Sequence, residues 1–213
     1  MLIKIIAVII FAYLLGSVPF AYIFARRARG INLKQVGTGN AGISNLWHST
    51  SKWLAIPVIV LDTLKGAFPV WLAQAIGMDA GIQVLAGLAA ISGHNWPVFL
   101  KFSGGRGILA SLGVSLALPL VNGMFPWALA AGLTCAAVGF ILHASPVGVG
   151  IGVAILAPVN WAIGSLPQIS LGYTGIFILL VIRRLTAPRT PLSDKISPGQ
   201  LLLNRLIFDR DTR

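Results

Sequence analysis

One stretch of the chain, from Gly107 to Ile182, contains no Lys, Arg, Asp or Glu. A soluble domain usually has about a quarter of its residues charged, whereas this chain of 213 residues is 10% charged and 56% hydrophobic. A charge-free interval of this length exceeds the needs of a soluble core and suffices for several membrane crossings. The sequence therefore predicts an all-α, polytopic integral membrane protein.

Breaks in the apolar sequence divide it into about seven transmembrane helices. Turn-forming residues mark several breaks, as in Asn122-Gly123 and Ala144-Ser145-Pro146. A helix needs about 20 residues to cross a bilayer, so the ends of the shorter segments are approximate. The predicted helices are Leu2–Ala25, Lys52–Gly77, Gly81–Leu100, Ile108–Leu120, Pro126–Leu142, Val147–Gly164 and Ile169–Ile182. Residues 1–182 then form the membrane domain, and residues 183–213 form a basic cytosolic tail.

The first apolar segment has an alternative interpretation as a signal peptide. It lacks a clear small-residue cleavage site, and its end runs into Arg26, Arg27 and Arg29. Both features favour a retained spanning helix.

The positive charges predict the orientation of the helices. All but two of the 16 Lys and Arg residues lie in the first loop, the third loop and the tail, which share one side of the membrane. The positive-inside rule places this side in the cytosol and the N-terminus outside. The net charge of +11 follows the topology and does not indicate nucleic-acid binding. The Lys and Arg residues on the predicted cytosolic side are Arg26, Arg27, Arg29, Lys34, Lys52, Lys101, Arg106, Arg183, Arg184, Arg189, Lys195, Arg205, Arg210 and Arg213.

The tail contains the apolar run Leu201–Phe208 among basic residues. This pattern fits a short amphipathic helix that lies on anionic lipid. A loosely ordered tail is the alternative.

Two glycine-rich loops follow apolar segments, and both face the predicted cytosolic side. The first glycine loop, residues 37–45, reads GTGNAGISN, and the second, residues 101–107, reads KFSGGRG. Glycines let backbone N–H groups approach an anion, and a helix that starts there adds its positive dipole end. The predicted phosphate-binding residues are Gly37, Gly39, Asn40, Gly42, Ser44, Asn45, Gly104, Gly105, Gly107 and Ser145.

Each loop also has a structural interpretation. The first is a capped turn before the next helix. In the second, Lys101 anchors the chain at the membrane interface. Arg106 lies between glycines, and its guanidinium favours a phosphate contact.

Asp62 and Lys65 lie three residues apart in the second predicted helix, which predicts an ion pair on one helix face rather than a proton relay. His48, next to the first glycine loop, is a candidate anion contact. His94 is a candidate capping or core residue, and His143 lies near Ser145. No histidine has metal-ligand spacing to another histidine or carboxylate, and the lone Cys135 excludes most thiolate metal sites as well as an internal disulfide, so we expect no metal.

Four ordered segments resemble the bacterial acyl-phosphate:glycerol-3-phosphate acyltransferase family, the PlsY type. They cover roughly the first half of the chain, and their order makes the resemblance specific. The segments are GSVPFAY at Gly16–Tyr22, GINLKQV at Gly30–Val36 with the first glycine loop, LDTLKG at Leu61–Gly66, and Gly93–Gly113. The rest of the chain matches in hydropathy and helix count.

The resemblance implies a seven-helix enzyme of the bacterial plasma membrane. It would transfer a fatty acyl group from acyl phosphate to the 1-hydroxyl of glycerol 3-phosphate, giving lysophosphatidic acid and phosphate. It would use no cofactor and no protein nucleophile, because the donor phosphate takes the hydroxyl proton. The resemblance assigns catalytic roles to Thr38, His48 and Arg106. The implied partners are the two substrates and membrane lipid.

The chain departs from the family pattern at three places. His48 replaces an arginine, and Ser103 and Arg106 replace a lysine pair. After the last helix, residues 183–189 lack the family's His, Asn and Glu motif, and Arg183 and Arg184 could bind phosphate in its place. Two alternatives therefore stay open: an enzyme with a different acceptor, and a non-catalytic paralogue that binds lipid or acyl phosphate.

Overall fold

A computed structural model describes residues 1–187 and 196–208, and all regular structure in these ranges is helical. The predicted all-α fold is confirmed for them. The α-helices are α1 (Leu2–Gly16), α2 (Phe20–Arg29), α3 (Ile43–Ser49), α4 (Lys52–Ala75), α5 (Ala80–Asn95), α6 (Ile108–Val121), α7 (Trp127–Ile141), α8 (Ser145–Ala154), α9 (Leu156–Ala162), α10 (Pro167–Leu185) and α11 (Pro198–Phe208). A 3-10 helix spans Val98–Leu100. Among the predicted tail charges, Arg189, Lys195, Arg210 and Arg213 lie outside the described residues.

The helices form two compact units, Met1–Gly123 and Met124–Arg213. In the first unit, α4 is central and packs against the other five helices. In the second unit, α7 packs along α8 and α9, while α10 packs against α8, α9 and α11.

Small residues let α4 and α6 approach closely in the first unit. A side chain on Gly66 of α4 would meet the backbone of Ala110, and one on Gly113 of α6 would meet the backbone of Thr63. Such small-residue contacts are typical of helices packed inside membranes. This contact holds the start of α6, next to the second glycine loop, against the middle of α4.

The first predicted helix, Leu2–Ala25, is present as one apolar span, Leu2–Arg29, but it is interrupted after its middle. The helix ends at Gly16 and resumes at Phe20. Pro19 explains the break, because proline has no N–H to donate and disfavours helical backbone at the preceding residue. The interruption leaves the carbonyl of Val18 available to a side chain from α4.

The other predicted helices are present with shifted ends. The third predicted helix ends at Asn95, and Trp96 and Pro97 separate it from the 3-10 helix, while the sixth is divided at Ile155 between α8 and α9. The last one, α10, continues to Leu185 beyond the predicted Ile182. Asp79 caps α5, since its carboxylate accepts hydrogen bonds from the N–H groups of the first turn at 2.8 and 3.1 Å.

Four segments of the described chain are long and apolar enough to cross a membrane. They are Leu2–Arg29, Lys52–Ala75, Ser145–Ala162 and Pro167–Leu185. Two further helices, α6 and α7, are apolar but shorter.

The apolar run in the tail forms α11, so the loosely ordered alternative does not hold for residues 198–208. The buried face of this helix includes polar residues beside Leu201, and its exposed face is largely apolar. Asn204 and Arg205 are buried against its neighbours, while Leu202 and Leu203 are about half exposed. Contact of this apolar face with lipid stays a prediction.

Candidate functional site

The side chain of Asn45 organises the first glycine loop. It lies in α3 and is 2% exposed. Its amide nitrogen donates to the carbonyls of Leu33, Val36 and Asn40 at 2.8, 3.0 and 2.9 Å. Its amide oxygen accepts hydrogen bonds from the Thr38 N–H and the Ser49 hydroxyl. One side chain therefore gathers the loop backbone around itself.

This arrangement changes the role that we assign to Asn45. The predicted phosphate ligand uses its amide for the loop backbone, so we assign it to shaping the loop. Gly37 and Gly39 have φ of 57° and 68°, a left-handed conformation that favours glycine. The Oδ1 atom of Asn40 is buried without a hydrogen-bond partner among the described residues, and this acceptor suits a donor group of a substrate rather than a phosphate oxygen.

The second glycine loop folds back onto the end of α5. The N–H of Gly104 donates to the carbonyl of Asn95 at 3.3 Å, and the N–H of Gly105 donates to the carbonyl of His94 at 3.1 Å. Gly107 has φ of 76° and occupies the position before α6. The loop therefore lies between the last turn of α5 and the first turn of α6.

The two glycine loops are neighbours. A side-chain carbon on Gly42 would lie 3.7 Å from the Cα atom of Gly105. The ammonium of Lys34 donates to the carbonyl of Leu100 at 2.8 Å and links the backbones that lead into the loops. Burial lowers the pKa of Lys34, and the nearby charge of Lys101 lowers it further.

A buried ion pair lies beside the loops. The Nζ atom of Lys65 lies 2.8 Å from Oδ1 of Asp62, and both side chains are almost fully buried. The ammonium of Lys65 also donates to the carbonyl of Val18 at 2.9 Å and lies 5.5 Å from the ring centre of Phe20. Lys65 therefore joins the N–H of Phe20, at 3.2 Å, in donating to the carbonyl that has lost its helical partner at the break.

His94 joins this pair, although the sequence indicated only a capping or core histidine. Its Nδ1 atom lies 3.9 Å from a carboxylate oxygen of Asp62. Its imidazole occupies the space that a side chain on Gly105 would need. In the sequence, the signal for a role of His94 near the second glycine loop is its position: His94 lies shortly before Pro97, which ends the helix, and before Lys101, where that loop begins.

A narrow, partly open cleft of about 10 Å³, which is the space of about one water molecule, connects these features. It lies where the interrupted helix, the first loop and the second loop meet. Its lining includes Val18, Ala41, Asp62, Lys65, His94, Gly104 and Gly105. The cleft brings a buried ion pair and a histidine together with glycine backbone, the kind of backbone that anions approach closely.

The remaining predicted site residues occupy different surroundings. Thr38, Ser44 and His48 are exposed around the first loop, and Arg106 is half-buried in the second. Ser145 is exposed at the start of α8 in the second unit. Within the described residues, no three His, Cys, Asp or Glu side chains group as metal ligands.

A basic cluster in the second unit holds α11 in place. The guanidinium of Arg184 donates to the carbonyls of Leu206 and Pro146 at 3.0 and 3.2 Å. Arg205 donates to the carbonyl of Leu185 at 2.7 Å. The sequence suggested that Arg183 and Arg184 bind phosphate in place of the altered tail motif. In the structure, the guanidinium of Arg184 instead donates to backbone carbonyls.

Comparison with known proteins covers nearly the whole chain. The model of the family described as glycerol-3-phosphate acyltransferase matches residues 6–189. Glycerol-3-phosphate acyltransferase 4 of Dehalococcoides mccartyi is 39% identical over 207 residues, which cover 94% of this chain and 87% of that protein. The glycerol-3-phosphate acyltransferase of Shouchella clausii is 38% identical over 202 residues, covering 92% and 95%.

The fold is similar to a solved membrane protein. The crystal structure of PlsY (YgiH), an integral membrane glycerol 3-phosphate acyltransferase, in its glycerol 3-phosphate form has a TM-score of 0.74. The two sequences are 27% identical, and the match covers 99% of this chain and 95% of that chain. The lysophosphatidic acid form of the same protein has a TM-score of 0.73.

Proposed function

We propose that this chain, which belongs to the glycerol-3-phosphate acyltransferase family, is a membrane enzyme that acylates glycerol 3-phosphate with acyl phosphate as donor. The main support for the proposal is that the two glycine loops lie next to each other and line the same cleft. It brings two segments of glycine backbone, which anions can approach closely, next to each other beside buried polar groups. The family's role in phospholipid synthesis gives the reaction its place in metabolism.

The proposed reaction is a direct acyl transfer. The 1-hydroxyl oxygen of glycerol 3-phosphate attacks the acyl carbon, and the bond from that carbon to the phosphate oxygen breaks. The departing phosphate takes the hydroxyl proton, so the products are lysophosphatidic acid and inorganic phosphate. The protein contributes by holding the reactants together and by stabilising charge on the phosphate oxygens.

We assign the phosphate contacts to the glycine backbone and to the guanidinium of Arg106. Glycine N–H groups approach phosphate oxygens closely, and a guanidinium adds a charge-assisted contact. The buried Oδ1 atom of Asn40 is suited to accept a hydrogen bond from a glycerol hydroxyl. Thr38 and His48 contact substrate from the exposed side of the first loop.

We further propose seven membrane crossings in the bacterial plasma membrane, with the N-terminus outside and the glycine loops in the cytosol. The distribution of Lys and Arg supports this orientation. The four long apolar segments, α5, α6 and α7 supply the seven crossings. Residues 1–182 then form the catalytic membrane domain, and residues 183–213 form a cytosolic tail.

A direct assay tests the reaction. The purified protein in detergent receives palmitoyl phosphate and glycerol 3-phosphate, and phosphate release and lysophosphatidic acid are measured together. We expect equal amounts of both products and none of the lipid when glycerol 3-phosphate is omitted. Binding of palmitoyl phosphate without turnover would overturn the proposal and favour the non-catalytic paralogue. Turnover with another polyol phosphate alone would favour an altered acceptor.

A further inference from the structure

We propose that His94 is a positioning residue that sets the place of the second glycine loop through its imidazole. The inference rests on the proposed function, because it treats the backbone of this loop as a phosphate contact. It concerns a side chain that the sequence assigned only to a cap or core.

His94 holds Gly105 in two ways. Its carbonyl accepts the N–H of Gly105 at 3.1 Å. Its imidazole forms the wall on the other side, since a carbon added to Gly105 would meet ring atoms of His94 before any other group. Gly105 therefore lies against the ring, and a displaced ring would release it.

The imidazole is buried beside the ion pair. His94 is 9% exposed, and its Nδ1 atom lies 3.9 Å from a carboxylate oxygen of Asp62, beyond hydrogen-bond distance. Asp62 is paired with Lys65, which donates to the carbonyl of Val18 at the helix break. Burial among these groups leaves the ring little room to move, and groups that contact a substrate depend on such packing for their productive geometry.

Gly104 provides a matched comparison for Gly105. A carbon added to Gly104 would meet the His94 carbonyl oxygen and the ring of Pro97. Those atoms stay in place when the imidazole is removed. Truncating His94 should therefore make room for a methyl group at Gly105 but leave the steric clash of a methyl group at Gly104 unchanged.

The test is a pair of double-mutant cycles on turnover of palmitoyl phosphate and glycerol 3-phosphate. The variants are H94A, G105A, G104A, H94A/G105A and H94A/G104A. We expect H94A and G105A each to lower kcat/KM by about tenfold. We expect H94A/G105A to retain at least about threefold more activity than the product of the single effects, whereas H94A/G104A follows that product. If the kcat/KM losses of the single variants multiply in both double variants, the proposal is overturned.

Substrate dependence separates positioning from a general loss of structure. The second loop holds one of the two phosphates, so H94A should raise the KM of one substrate by about fivefold and leave the other within about twofold. Thermal unfolding of the detergent-solubilised variant should stay close to that of the wild type. An equal rise in both KM values, or loss of folded protein as the only effect, contradicts the inference.

Inorganic phosphate distinguishes failure of this inference from failure of the proposed reaction. For each variant, the unfolding temperature is measured as inorganic phosphate is added. The phosphate concentration at half of the maximal temperature increase reports anion binding without turnover. A wild-type protein that binds phosphate but forms no product contradicts the reaction alone. H94A should then still weaken phosphate binding by about fivefold, and unchanged binding by H94A contradicts the positioning role.

Discussion

The glycine loops of the first unit and the basic cluster of the second unit use polar groups in opposite ways. Around the loops, Asn45 and His94 use their side chains to arrange glycine backbone. In the second unit, Arg184 and Arg205 donate to carbonyls near the ends of α8, α10 and α11. Arginine near a helix C-terminus stabilises the carbonyls that lack partners there.

This difference shows that a high density of positive charge does not by itself locate a phosphate site. Three arginines lie in or beside the buried contact between α10 and α11, where two of them serve helix ends. The loops combine one buried ion pair, few cations and much glycine. We therefore expect substitutions at the loops to reduce turnover and substitutions in the basic cluster to reduce stability.

The largest effect is expected at Asn45. Asn45→Asp keeps the size of the side chain but replaces the amide donor of three hydrogen bonds with a charged acceptor. The amide protons that hold the loop backbone are lost, so the loop loses its shape and we expect kcat/KM to fall by about 100-fold. The palmitoyl phosphate assay measures this effect.

Asn122→Asp is the matched control for Asn45→Asp. Asn122 follows α6 at the end remote from the glycine loops and donates to Gln83 and Leu118. We expect this variant to unfold at a lower temperature and to retain its turnover within about threefold once the folded fraction is equalised. Equal losses of turnover at the two positions would remove the special role of Asn45.

The next largest effect is expected at Arg106. Arg106→Ala should lower kcat/KM by at least about tenfold, because a phosphate loses a charge-assisted contact. Lys101→Ala removes a positive charge from the same loop, at an exposed position. It should change the rate by less than about twofold, since exposed charges contribute little. Similar losses in both variants would point to the total charge of the loop rather than to a phosphate contact at Arg106.

A smaller effect, on stability, is expected at Arg205. Arg205→Ala removes the hydrogen bond to the carbonyl of Leu185. Thermal unfolding should reveal a loss of about 1.5–3 kcal/mol, the range for a hydrogen bond with a charged donor. Turnover per folded molecule should stay within about twofold of the wild type. A loss as large as that of Arg106→Ala would place the basic cluster in the catalytic site and break the comparison.

The smallest effect is expected at His48. The resemblance places an arginine at this exposed position, and His48→Arg restores a permanent positive charge beside the first loop. We expect a gain of only about two- to threefold in kcat/KM, because an arginine there adds a charged contact to the phosphate at a position that solvent largely screens. His48→Gln, which adds no charge, is the control. A decrease with arginine would show that this chain has adapted to histidine there.

Much of the architecture could be predicted because it depends on local composition. The charge-free interval between Gly107 and Ile182 excluded a soluble fold, and turn residues marked most helix ends. The break before Phe20 was missed because the apolar sequence continues through it. Pro19 was a signal for that break, although prolines within α4 leave that helix continuous. Only the packing of neighbouring helices distinguishes the two outcomes.

By itself, the sequence determined the helical membrane class of this protein, its two glycine loops and its family, since these follow from composition and from ordered short segments. The tertiary structure alone decided that Asn45 shapes the first loop, that Lys65 compensates the helix break, and that His94 lies against Gly105. Contacts such as Lys65 to Val18 join residues far apart in the chain. They depend on how closely glycine-bearing helices pack, which no local pattern specifies.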